Sequence, residues 1–102
     1  MNNLQIGKMY LVKEYFWYVF PTKELAADSR VEWDATVSAA AVMAKVLSES
    51  FNCNVAVVEE NTCVVLLEMD EAEHCYKLLD CNGNIGWIGC YHFSKNFELV
   101  KE

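Results

Sequence analysis

Residues 8–20, KMYLVKEYFWYVF, crowd together aromatic and β-branched side chains, the types that favour extended backbone. Lys13-Glu14 breaks that run with two charges, which predicts two short strand pieces joined by a bulge or loop. Pro21 is the strongest breaker in this part of the chain. The polar stretch from Pro21 to Trp33 then reads as a long surface connection with a helical turn at Lys23 to Ala27. From Asp34 the period changes. Across residues 34–50, Val37, Ala40, Ala41, Ala44, Leu47 and the adjoining Phe51 recur at three- and four-residue spacing, while Ser38, Val42, Lys45 and Glu49 take the opposite side. This predicts one amphipathic helix, capped by Asp34 and ended by Asn52 or Asn54, since Asn tolerates the left-handed conformation.

After the helix the pattern is that of strands punctuated by turns. Val55–Val58, Cys63–Leu67, Cys75–Leu79 and Ile85–Tyr91 are separated by turns at 59–62, 69–73 and 81–84, which predicts an antiparallel meander; Phe97–Val100 would close it as an edge strand. Val55–Val58 and Cys63–Leu67 are apolar on both alternating faces, so something must cover the second face, and the helix before them is the natural cover. The predicted fold class is mainly β (α+β): a small curled antiparallel sheet with its own interior, one helix (about 34–50) packed on its outer face, and a single domain over residues 1–102.

Within that pattern, Tyr76-Lys77-Leu78-Leu79-Asp80-Cys81-Asn82-Gly83-Asn84-Ile85-Gly86-Trp87-Ile88 resembles the distal hairpin of bacterial SH3-like domains: an aromatic, a basic residue, an aliphatic, a tight glycine turn, then Gly-Trp-Ile. It is also similar to short SH3-like proteins of bacteriophage genomes, and Gly7 to Lys13 matches the opening of such domains more weakly. The pattern has a physical logic. Gly83 permits positive φ in the Asn-Gly turn, Gly86 admits close backbone approach, and Ile88 points inward while Trp87 points away. The resemblance implies an SH3-like antiparallel β-barrel carrying the helix as an insertion. Gly89 stands where peptide-binding SH3 domains carry a proline, although Tyr91 is present, which points to a peptide or protein surface other than a polyproline groove.

Composition adds the bounds. A chain of 102 residues, 54% hydrophobic and 13% aromatic, is too apolar to stay disordered and too short for two cores. Eight basic residues against 15 acidic give a net charge of −7, which argues against direct nucleic-acid binding, because phosphate affinity comes from clustered Lys and Arg. Nine of the acids and only three lysines fall in residues 52–102. Six of them, Glu59, Glu60, Glu68, Asp70, Glu71 and Glu73, run without a basic residue between them and predict a negative surface. That surface could dock a basic partner or imitate nucleic-acid phosphates, with Glu68, Asp70, Glu71 and Glu73 at its centre. No run is apolar enough to predict a bilayer span or a secretory signal, so a cytoplasmic setting with the five cysteines reduced and largely buried is expected.

Candidate chemistry is sparse. Cys90-Tyr91-His92 and His74-Cys75, with Cys81, are the Cys/His groupings that invite a zinc or cysteine-nucleophile reading, yet they lack paired knuckle spacing and any flanking catalytic signature. No metal or other cofactor is expected, and a cysteine-dependent enzyme is the weakest alternative. The aromatic run Tyr15-Phe16-Trp17-Tyr18-Val19-Phe20 sends alternate side chains to opposite faces, more than a small barrel is expected to internalise. Trp17, Trp87 and Tyr91 are therefore the expected anchors of a non-enzymatic protein–protein interaction module, a phage or bacterial accessory protein. The alternative is that the Pro21–Trp33 segment, or a second copy in a homo-oligomer, covers them.

Overall fold

The computed structural model describes residues 4–28 and 37–101, with the side chains of the long helix described from Ala40 onward. In chain order the elements are β1 (Met9–Val12), β2 (Trp17–Val19), α1 (Lys23–Asp28), α2 (Val37–Phe51), β3 (Ala56–Val58), β4 (Cys63–Asp70), β5 (Cys75–Leu79), β6 (Ile85–Gly89), α3 (Phe93–Asn96) and β7 (Phe97–Leu99). The chain is mainly β: one antiparallel sheet of five strands, ordered β6-β5-β4-β1-β7, and a second of two, β2-β3. Lys13-Glu14 divides β1 from β2 as their charges predict, and Tyr15 turns the corner with a φ of 68°.

The predicted meander is corrected at its first step. The turn after β3 docks on the end of β1, where the Asn61 N–H donates to the Val12 carbonyl (2.7 Å) and the Val12 N–H to that of Thr62 (2.8 Å). Those bonds hand β4 to β1, with Met9 opposite Val65, while β3 stays with β2, with Trp17 opposite Val58. From β4 onward the meander holds. Cys75 faces Gly89 and Leu79 faces Ile85 across the β5–β6 hairpin, whose turn is fastened by Asp80: its carboxylate accepts the N–H groups of Asn82 and Asn84 and the Asn84 amide. Gly83 supplies the positive φ, 85°, that this turn needs.

Gly86 confirms the close approach its type implies. Phe20 forms a bridge to Trp87, each donating its N–H to the other's carbonyl (2.8 and 2.7 Å), and this bridge joins the two sheets. A Cβ on Gly86 would lie 2.5 Å from the Phe20 carbonyl oxygen and 2.6 Å from Val19 Cγ1, so only glycine fits under the crossing strand.

Two apolar clusters result. The first takes side chains from all seven strands, among them Tyr10, Val12, Trp17, Val19, Val58, Val64, Leu66, Leu78, Ile88 and Phe97. The second gathers Tyr18, Phe20, Ala26, Ala44 and Cys75, flanked by Leu25, Met43, Leu47, Val57 and Trp87. Here lies the second correction. β2 runs between the clusters, so Trp17 and Val19 fill one and Tyr18 and Phe20 fill the other; both parities of the aromatic run are buried, Trp17 with 1% exposure. The surplus aromatics expected at the surface here are core on two sides.

α2 covers the long helix prediction from Val37, and Asn52 ends it with a φ of 51°; Asp34 lies outside the described residues. Ala40 and Ala44 are buried and Met43 and Leu47 half-buried, whereas Ala41, predicted for the inner face, is exposed. α2 lies against β3, not across β4, and the outer face of β4 (Cys63, Val65, Leu67) is half-open. The expected cover of that strand by the helix is thus corrected. α1 is the element that covers β5 and β6, with Ala26 fully buried beneath it.

Candidate functional site

The β4–β5 turn (residues 71–74) and the segment leaving β6 (residues 90–95) form the walls of a cleft. His74 closes the turn with a φ of 54°, its N–H donating to the Glu71 carbonyl (3.3 Å) while its own carbonyl accepts the Cys90 N–H (2.8 Å). The turn and the β6 exit are thereby stitched together, which places the His74 ring against Tyr91, centroids 5.2 Å apart. Behind them the packing is aromatic: Tyr76 stacks on Phe93 (4.4 Å) and Phe93 on Phe97 (4.3 Å), with Tyr10 edge-on to Phe93. Burial pushes the Tyr76 phenol up to about 12, with Cys90 and Glu71 adding to the shift, so it stays a neutral hydroxyl.

The cleft so formed has a volume of about 280 Å³ and is lined by Leu4, Glu71, His74, Tyr76, Tyr91 and the stretch His92 to Lys95. Tyr91 is 57% exposed at its mouth. Glu71 stands on the wall made by the turn and Lys95 on the wall made by α3, and among the described residues neither is in an ion pair. An apolar and aromatic floor with one anion, one cation and several hydroxyl and imidazole groups suits a peptide segment rather than a compact ion.

A second group lies under α1. Lys23 Nζ donates to Asp70 Oδ2 at 2.8 Å and stands 5.8 Å from the centroid of the half-buried Trp87 ring. Asp70 also accepts the Glu73 N–H. The hydrogen bond from Lys23 draws the Asp70 carboxyl below its ordinary value, and the same bond raises the Lys23 ammonium. A hollow of about 520 Å³ beside this pair is lined by Lys23, Glu24, Ala27, Asp28, Asp70 and Glu73.

The predicted residues therefore separate. Tyr91 and Glu71 meet in the cleft; Trp87, Asp70 and Glu73 meet at α1; Glu68 faces Lys77 across the strands with 3.7 Å between charges; Trp17 is core. The acidic stretch is not one unpaired surface, since Glu59 and Glu60 precede β4 and Asp70 ends it, roughly 20 Å away at 3.3 Å per residue. Cys75 and Cys90 are buried in separate clusters, Cys53 and Cys63 are half-buried and Cys81 is exposed. His74, Tyr76, His92 and Lys95 complete the cleft; the β5–β6 register, which pairs Cys75 with Gly89 and is set by the hairpin turn, brings the two walls together.

Among the described residues no three His, Cys, Asp or Glu side chains converge as a metal site requires, and no helix is long and apolar enough to cross a membrane. No family model, curated protein or solved structure matches the chain, which leaves its own residues as the ground for a function.

Proposed function

We propose that the chain is a non-enzymatic SH3-like interaction module that holds a peptide segment of a protein partner in the Tyr91 cleft. The observation that carries this reading is the cleft itself: an exposed tyrosine braced by His74, over an aromatic floor, between Glu71 and Lys95, neither of them in an ion pair among the described residues. Tyrosine in such a setting offers large rigid contact area at low entropic cost and is enriched at interface hot spots. The SH3-like part is supported by the Asn82-Gly83 hairpin, the Gly86 crossing and a first cluster to which all seven strands contribute, as a sheet curling around an interior requires. The non-enzymatic part rests on the burial of Cys75, next to His74, and Cys90, two residues before His92.

The test is capture from a lysate of the source cell by immobilised wild-type chain and by Tyr91→Ala. Loss of the captured protein with Tyr91→Ala, at unchanged melting temperature, supports the reading; equal capture by both defeats it.

A second reading, docking of a basic partner, is favoured by the hollow at α1 with four carboxylates to one lysine. It predicts an association that fades between low and physiological salt and is insensitive to Tyr91→Ala.

A further inference from the structure

β7 is the last strand of the five-stranded sheet, and among the described residues it pairs only with β1. Val100 donates its N–H to the Met9 carbonyl (2.9 Å) and Asn96 accepts the Lys13 N–H (2.8 Å), so by antiparallel alternation the N–H and C=O groups of Leu99 and Lys101 turn away from the sheet. At the Met9 end of this edge the outer sheet face is apolar. Tyr10, Val12, Val64 and Leu66 are buried on the inner face, which leaves Met9 and Val65 side by side on the outer one, with Val100 next to Met9. Met9 is 46% and Val100 38% exposed. A groove of about 450 Å³ follows the edge, lined by Gln5, Lys8, Met9, Leu99, Val100 and Lys101.

Its charge is opposite to that of the chain. In a molecule of net charge −7 the described residues that line the groove include two lysines and no carboxylate, and among the described residues neither Lys8 nor Lys101 is in an ion pair. Glu98 lies one register row further along, opposite Leu11.

We propose that this edge accepts an extended segment of a partner protein in which apolar residues alternate with acidic ones, added as a strand beside β7. Main-chain hydrogen bonds to Leu99 and Lys101 would hold it, Met9 and Val100 would take its apolar side chains, and Lys8 and Lys101 its carboxylates. The surface shares no residue with the Tyr91 cleft, and the proposal stands without it. Lysines at a sheet edge also discourage pairing between like chains, so the same two residues that admit an acidic strand turn away a basic one.

The test is titration of the full chain, followed by amide NMR, with two synthetic peptides about eight residues long, alternating valine with glutamate or valine with lysine. The Val/Glu peptide is expected to bind and to shift the amides of Leu99 and Lys101. Its affinity should fall about tenfold with Lys8→Glu combined with Lys101→Glu, and its backbone-N-methylated form should not bind. The proposal is overturned if the Val/Lys peptide binds equally well, if the double variant retains full affinity, or if the shifts appear only at His74 and Tyr91. It is overturned equally if sedimentation shows a dimer that Met9→Glu disperses, for then a second copy occupies the face.

Discussion

Gly86 and Asp70 mark two extremes of how far a single residue's role can be read in advance. Gly86 follows a tight turn and precedes a tryptophan, and its lack of a side chain implied close backbone approach; the Phe20 carbonyl, 2.5 Å from a Cβ position, is the backbone that approaches. Gly86→Ala should cost about 1–3 kcal/mol, as overpacking does, and a urea titration would show a lower midpoint with unchanged slope. Asp70 instead looked like one carboxylate in an acidic run. Its partner Lys23 is 47 positions away, a distance over which no local pattern carries information. Because folding lowers the Asp70 pKa, the unfolded chain binds the proton more readily; the stabilisation is full above the ordinary carboxylate value of about 4 and lost as pH falls through the folded value. Asp70→Asn should therefore lower the melting temperature at neutral pH, and the gap to wild type should close on acidification below about pH 4. A gap that persists unchanged to low pH would mean the pair adds nothing to the fold.

Elements were legible where the decisive contacts are local. The helix, the break at Lys13-Glu14, the β5–β6 hairpin and the turn at Asn61 follow from spacing, charge and turn chemistry. Pairing was not. The turn before Cys63 could have zipped β3 to β4, and it was the hydrogen bonds of Asn61 and Thr62 with Val12 that sent each strand to a different sheet. The cleft was hidden for another reason: its walls run on past the paired ends of β5 and β6, where the Cys90 N–H and the His74 carbonyl join them. The helix face was misread by part of a turn, because periodicity weights Ala41 and Ala44 alike and the neighbours decide between them. Ala44 is buried against the second cluster, and Ala44→Leu should destabilise by about 1–3 kcal/mol; Val42, 65% exposed, should accept Lys within about 0.5 kcal/mol. Thermal melts of the two variants check this. Equal losses would place α2 in a different rotation from the one described.

At the scale of the whole molecule, β2 decides whether the two clusters are one cooperative unit. It contributes Trp17 and Val19 to one and Tyr18 to the other, Phe20 follows directly, and the Phe20–Trp87 bridge ties the small sheet to the large one. Neither cluster can lose its share of this strand without exposing the other's. Phe20 itself is 1% exposed and in ring contact with Phe51 of α2, centroids 6.3 Å apart, so its truncation removes contacts to the helix as well as to Trp87. Phe20→Ala should cost about 3–5 kcal/mol. That cost should appear in every probe at once: the far-ultraviolet signal of the sheets and the near-ultraviolet signal of the packed tryptophans should move to the same lower denaturant midpoint, because the strand is shared. If the near-ultraviolet signal of Trp17 instead survived after the helix had melted, the first cluster would be an independent unit. The surfaces proposed for binding at Tyr91 and β7 would then outlast the loss of α1 and α2, which the shared strand argues they do not.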